Sequence, residues 1–210
     1  MKNIIFDLDG TLIDSVLDIA KYVNLTREKY GLQSLSVDAV RKNLGNGAEK
    51  LIKDCIPEIP YKKEILDYYN EEYTACDFSS TTLFDGVKEM LERLKDRYTL
   101  ILISNKPEQT VNQIIKKFFK GVFTYVFGGK EGVPLKPSKE LFLEIQNKTG
   151  IKAEETFMVG DGETDYLFAV NNNLKPISVC YGYRDEAFLR SYGATNFAYT
   201  VFDVEKKLNT

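Results

Sequence analysis

Apolar residues are grouped along the chain in short unbroken runs: Asn3–Phe6 (NIIF), Tyr98–Ile103 (YTLILI), Val122–Gly128 (VFTYVFG), Thr156–Gly160 (TFMVG) and Pro176–Tyr181 (PISVCY), with a further candidate at Thr195–Thr200. A strand with one wet face alternates apolar and polar positions. Runs that stay apolar at both parities predict strands covered on both sides, as in a parallel sheet. The segments between them change period. In GVKEMLERLKDR, Val87, Met90, Leu91 and Leu94 fall on one helical face. PEQTVNQIIKKFF opens on Pro107, which suits a first helical turn, and SKELFLEIQNKTG closes on Gly150, a C-cap residue. Strands alternating with helices predict βαβ units and a doubly wound, Rossmann-like α/β core.

Residues 15–82 break this rhythm. SVLDIAKYVNLTREKYG places Val16, Ile19, Ala20 and Val23 at i, i+3, i+4 and i+7. SVDAVRKNL and AEKLIKDCI follow, separated by Gly45–Gly47, and YKKEILDYYNEEYTA carries a Tyr/Ile/Leu face on a charged helix. The segment reads as a small all-helical insertion after the first strand. Residues 1–14 and 83–210 then form the core and 15–82 a cap.

In an open α/β sheet, ligands bind beyond the carboxyl ends of the strands. The first strand is followed by Asp7-Leu8-Asp9-Gly10-Thr11, the second by Ser104-Asn105-Lys106-Pro107, the third by a loop reaching Lys136-Pro137, and the fourth by Asp161-Gly162-Glu163-Thr164-Asp165. Acids, a hydroxyl, an amide and a lysine are thereby expected on one edge. Gathering like charges is costly unless something neutralises them.

Composition narrows the chemistry. The 210 residues are 43% hydrophobic and 28% charged, the balance of a globular chain with a full core. A net charge of -3 gives no electrostatic case for nucleic acid, and no apolar run approaches the roughly 20 residues that span a bilayer. Acids interrupt the first apolar run too early for a signal peptide, so a cytoplasmic protein is expected. Three scattered cysteines, Cys55, Cys76 and Cys180, read as free thiols. With no histidine in the chain, every His-dependent triad and His-bearing zinc site is excluded.

These motifs resemble, over nearly the whole chain, those of the haloacid dehalogenase superfamily of phosphohydrolases: DxDGT at Asp7–Thr11, a strand-end Ser104, Lys136 before a helix and GDxxxD at Gly160–Asp165. Within that superfamily the chain is most similar to phosphoglycolate phosphatase-like proteins, whose TNKP is matched by SNKP and whose cap glycine loop is matched by LGNG. The resemblance implies a Mg²⁺-dependent phosphatase working through an aspartyl-phosphate, with 2-phosphoglycolate the leading substrate. Asp7 is then the nucleophile and Asp9 the general acid and base. Asp9 also supplies its backbone carbonyl to the metal, beside Asp7, Asp161 and Asp165. Ser104 and the amide of Asn105 hold phosphoryl oxygens, and Lys136 neutralises their charge.

Some assignments stay open between two roles. Thr11 either orients Asp9 or caps the next helix, and Ser104 is equally an N-cap before Pro107. Among Lys130, Lys136 and Lys139, Lys136 is preferred because it precedes Pro137. Glu163 competes with Asp165 as the second metal acid, since Gly162 stands where relatives often have Ser. In the cap, Gly45, Asn46, Gly47 and Lys50 either present amides and a cation to the substrate or form a plain interhelical turn; Arg41 and Arg184 are further candidates to meet a carboxylate. The expected partner is a small phosphorylated metabolite, with no nucleic acid or membrane, for a monomer or homodimer. A β-phosphoglucomutase-like phosphomutase, a nucleotide or sugar phosphatase, and a non-enzymatic phosphoacceptor module use the same core motifs.

Overall fold

The computed structural model describes residues 2–208. The chain runs β1 (Asn3–Phe6), β2 (Ile13–Asp14), α1 (Val16–Lys29), α2 (Val37–Arg41), α3 (Ala48–Cys55), α4 (Lys63–Thr74), β3 (Thr82–Leu83), α5 (Val87–Leu94) and β4 (Thr99–Pro107). It continues through α6 (Glu108–Phe118), β5 (Tyr125–Gly129), α7 (Lys139–Thr149), a 3₁₀ turn (Ala153–Glu155), β6 (Thr156–Gly160), α8 (Glu163–Asn171), β7 (Lys175–Val179), α9 (Glu186–Ser191), β8 (Phe197–Ala198) and α10 (Val201–Leu208).

Six strands form one sheet in the order β5-β4-β1-β6-β7-β8, with every neighbouring pair parallel. Because side chains alternate along a strand, the unbroken apolar runs feed two cores at once. Ile4, Phe6, Leu100, Leu102 and Val159 pack under α5, α6 and α10, on the face continuous with the cap. Ile5, Ile101, Ile103 and Met158 pack under α7 and α8 on the other. The order of connection reverses across β1 and β6: the chain builds outward through β4 and β5, then returns to β6 on the other side of β1. The crevice at such a reversal is where an open sheet receives its ligand.

Local sequence accounts for several boundaries. Ser138 caps α7 by accepting from the Glu140 amide at 3.1 Å, and Gly150 ends it in the left-handed region at φ 73°. Pro107 sits one position before α6 and is also the last residue of β4. β4 runs further than the apolar pattern predicts, through Ser104, Asn105 and Lys106, with a register shift against β5 between Ile103 and Pro107.

Between β2 and β3 the chain forms helices α1–α4 and, among the described residues, no strand. The two short strands pair antiparallel, Ile13 with Leu83 and Asp14 with Thr82, so the insertion leaves and rejoins the core through one narrow neck. Two-residue strands have no periodicity to read, which is why the sequence pattern misses them. Val16, Ile19, Ala20 and Val23 are all buried, joining the cap to the core's first hydrophobic cluster. No helix among the described residues is long and apolar enough to cross a membrane.

Ile5 is fully buried at the centre of the sheet. Ile5→Ala is expected to cost about 2–5 kcal/mol in lost transfer energy and residual cavity, read as a lower urea midpoint at unchanged slope.

Candidate active site

Of the seven buried charged side chains among the described residues, Asp7, Lys106, Lys136, Asp161 and Asp165 gather at the carboxyl ends of β1, β4 and β6. The other two, Asp18 and Arg27, lie in the cap. Asp7 continues β1, its amide donating to Val159 O at 2.9 Å. Lys136, from the loop after β5, places Nζ 2.6 Å from Asp7 Oδ1, 2.7 Å from Asp165 Oδ1 and 3.0 Å from Ile103 O. The ammonium's three protons thus have three acceptors. The Lys136 backbone is fixed by Asn105, whose side chain accepts from Lys136 N at 2.8 Å and donates to Lys136 O at 3.0 Å. Asn105 Nδ2 also donates to Gly45 O in the cap at 2.9 Å.

Asp161 accepts from the Tyr183 amide at 2.7 Å and from Thr11 Oγ1 at 3.3 Å. Thr11 thereby orients Asp161 rather than Asp9. Gly10 makes the close approach feasible: at φ +84° it adopts a backbone that L side chains avoid, and a Cβ there would overlap the Asp161 carboxylate. Asp165 accepts from the Gly162 amide at 3.0 Å, at the start of α8. Asp9 points elsewhere. Both its oxygens accept from Lys106 Nζ at 2.9 Å, and Ser15 Oγ donates to it as well. Ser15 heads α1 without a side-chain cap bond, because its hydroxyl is given to Asp9.

Carboxylate oxygens of Asp7, Asp161 and Asp165 lie within 4.8 Å of one another. The electrostatics of the bare cluster are unfavourable. Burial first, then the Asp165 charge, push Asp7 from 3.8 up to about 7 against the pull of Lys136. Burial, Asp7 and Asp165 push Asp161 well above the usual carboxylate range, against the Tyr183 amide. Burial acts to lower Lys136, but Asp165 and Asp7 together outweigh it and hold the ammonium above its ordinary value. Three carboxylates against one ammonium leave two negative charges. One divalent cation with a preference for hard oxygen would neutralise them, and the residues fit such an ion. The side chain of Asp9 lies outside this cluster, committed to Lys106.

Above the acids lies a cavity of about 60 Å³ between core and cap. Asp7, Asp9, Ser104, Asn105 and Lys106 form its core side, and Leu44, Gly45, Gly47, Ala48, Tyr69 and Tyr73 its cap side. Gly47, at φ +84°, comes so close to the core that a Cβ would press on Leu135. Lys50 does not line the cavity; it pairs with Asp54 at 2.5 Å on the exposed side of α3. Asn46 turns to Glu163, donating at 3.0 Å. Glu163 therefore faces the cap while Asp165 faces the acids. Lys130 pairs with Glu108. Lys139 begins α7, and neither lysine lines the cavity.

Arg184 meets no carboxylate of the cavity. Its guanidinium donates to three cap carbonyls, Arg41 O at 3.3 Å, Lys42 O at 3.0 Å and Leu44 O at 2.9 Å, and lies 3.5 Å from Glu163. Arg41 pairs with Asp38 within the cap. The Tyr181–Arg184 loop carries more of the site than its sequence suggests. Tyr181 OH donates to Thr11 O at 3.0 Å, Tyr183 N binds Asp161, and Tyr183 OH receives the Ser15 amide at 2.9 Å. Nothing in the string YGYR announces these roles, because each partner is more than 20 residues away. The Tyr face of α4 is legible as periodicity, but only packing shows that it walls the cavity.

A family model described as haloacid dehalogenase-like hydrolase matches residues 4–179. Among curated relatives, a phosphoglycolate phosphatase of Aliivibrio fischeri is 31% identical over 194 residues, covering 87% of this chain and 86% of the relative. One of Psychrobacter arcticus is 30% identical over 204 residues, covering 91% and 89%. A crystal structure described as that of a predicted phosphatase from Clostridium acetobutylicum superposes with TM-score 0.88 at 27% identity, over 100% of this chain and 99% of the other.

Two outcomes follow from the geometry. In EDTA, wild-type stability relative to Asp7→Asn should fall as pH rises from about 4 to about 7. The unfolded chain loses its Asp7 proton near 3.8 while the folded one keeps it to about 7, so ionisation favours unfolding across that window. Urea midpoints against pH measure it, and a divalent cation should flatten the difference. Arg184→Ala should speed amide hydrogen exchange across residues 41–47, which lose three anchoring bonds.

Proposed function

The chain belongs to the haloacid dehalogenase-like hydrolases and is a phosphatase; on that premise we propose that it hydrolyses a small phosphate monoester, with 2-phosphoglycolate the leading substrate, through a phosphorylated Asp7. The observation that carries this reading is Lys136 bonded to both Asp7 and Asp165, with Asp161 beside them, where Asp7 opens onto the cavity between core and cap.

In the first step an Asp7 oxygen attacks phosphorus, the bond from phosphorus to the leaving oxygen breaks, and Asp9 gives that oxygen a proton. In the second, Asp9 takes a proton from water as the water oxygen attacks phosphorus; the Asp7–phosphorus bond breaks, inorganic phosphate leaves and Asp7 is restored. Lys136 holds one Asp7 oxygen, which orients the other for attack and offsets charge as the phosphoryl group transfers. Ser104 and the backbone amide of Asn105, near the end of β4, bind phosphoryl oxygens in this reading. Mg²⁺, held by Asp7, Asp161 and Asp165 with the Asp9 carbonyl, would screen one anion from the other and polarise the phosphoryl group.

The relatives named phosphoglycolate phosphatase support a small substrate.

Phosphate release from a panel of small esters with Mg²⁺, 2-phosphoglycolate among them, tests the proposal. Release should vanish with EDTA and fall at least about 10³-fold in Asp7→Asn. Isomer interconversion with no phosphate release would favour a phosphomutase, and a long-lived phosphorylated Asp7 without turnover a phosphoacceptor.

A further inference from the structure

Each of the two acids in Asp7-Leu8-Asp9 has a buried lysine. Lys136 serves Asp7 and Asp165, while Lys106 serves Asp9. Lys106 lies in the last part of β4, where the register against β5 shifts between Ile103 and Pro107. Shifts of this kind re-aim side chains beside active sites. The Lys106 amide donates to Ser104 Oγ at 3.2 Å, and its ammonium reaches across to the acid that follows β1, the next strand of the sheet.

Nζ lies 2.9 Å from both Asp9 oxygens, so the ammonium sits on the bisector of the carboxylate and fixes its plane. A bond to one oxygen alone would leave the group free to turn. Lys106 is itself held. It is 8% exposed, and the Tyr73 ring packs 4.9 Å from Nζ. That ring stacks on Tyr69, with centroids 5.6 Å apart. The bonds also distinguish the two Asp9 oxygens. A carboxylate has about four acceptor sites, two on each oxygen. Lys106 occupies one on each, and Ser15 Oγ donates to Oδ1. Oδ2 keeps a site, and Asp9 lines the cavity beside Asp7.

We propose that Lys106 is a positioning residue for proton transfer: it holds Asp9 in the orientation from which Oδ2 serves the leaving oxygen. The proposal rests on the phosphatase reading and adds the group that aims its acid. As the bond from phosphorus to the ester oxygen breaks, the electron pair stays on that oxygen and the Asp9 proton moves to it. An alkoxide needs that proton in order to leave. The acetate of acetyl phosphate leaves as a stable anion without it. Lys106 therefore matters for alkyl phosphates and little for acetyl phosphate. Its charge acts in the other direction. Removing an ammonium lets a neighbouring carboxyl keep its proton more readily, so a loss confined to esters that need the proton reports orientation.

The test compares kcat/KM, with Mg²⁺, for acetyl phosphate and for the alkyl phosphate that the wild type hydrolyses best. This ratio covers the chemistry through departure of the leaving group, so it isolates the acid step from the later attack of water. Lys106→Met should lower it about 10- to 100-fold for the alkyl ester and by no more than about three-fold for acetyl phosphate. Lys106→Gln is shorter and cannot bridge both oxygens; it should show the same selective loss, and it covers the case in which Lys106→Met fails to fold. In an Asp9→Asn background, either substitution should cost the alkyl ester no more than about a further three-fold, because the group that Lys106 aims is gone.

Equal losses for both esters overturn the proposal, since they are what a structural or phosphate-binding lysine would give. So does a full further loss in the Asp9→Asn background, which would mean that Lys106 acts on the substrate directly. In both cases the phosphatase stands. If the wild type hydrolyses neither ester, the phosphatase reading itself falls.

Discussion

The ion triad of Lys136 with Asp7 and Asp165 is the interaction on which the site is organised. Three buried carboxylates cannot be held within 4.8 Å of each other by packing alone. Lys136 neutralises one of the three charges and fixes an oxygen on each of two side chains. What remains is a charge deficit of two, kept at a place where a divalent cation and a phosphate are expected. Burial and the neighbouring carboxylates push Asp7 and Asp161 above the usual carboxylate range, and a bound cation would reverse that logic.

Asn105 makes this core interaction dependent on the cap. It clamps the Lys136 backbone from both sides and also reaches Gly45. Glu163, between Asp161 and Asp165 in sequence, binds Asn46; Arg184, one residue after the Tyr183 amide that holds Asp161, grips three carbonyls of the same cap segment. Residues 41–47 are therefore tied at once to three loops around the acid cluster. The chain enters and leaves the cap through the β2–β3 neck, and Val16, Ile19, Ala20 and Val23 pack into one hydrophobic cluster with the core. The polar contacts to residues 41–47 come from Asn105, Glu163 and Arg184, each on a loop beside the acid cluster.

Much of the core was legible because it repeats a local rule. Runs apolar at both parities mark strands covered on both faces, and Ile4, Ile5 and Phe6 do divide between two cores. Asp7, Ser104, Lys136, Asp161 and Asp165 were legible because each follows a strand, and parallel strands bring their ends to one edge. The choice of Lys136 over Lys130 and Lys139 rested on the motif it shares with Pro137, and Lys136 is the one of the three that reaches the acids. Lys106 stands in the string that follows the second strand, but its pairing with Asp9 spans 97 residues and leaves no local trace.

The sequence by itself determined the main strands of the sheet and several of its helices, where the insertion lies and which residue types meet at the sheet edge, because these depend on periodicity and on order along the chain. Only the tertiary structure decided how the meeting residues divide their partners. Thr11 serves Asp161, Ser15 serves Asp9, Arg184 holds the cap and Lys50 faces outward. Those choices turn on side-chain distances of a few ångströms between distant segments, and a one-dimensional pattern carries periodicity but not distance.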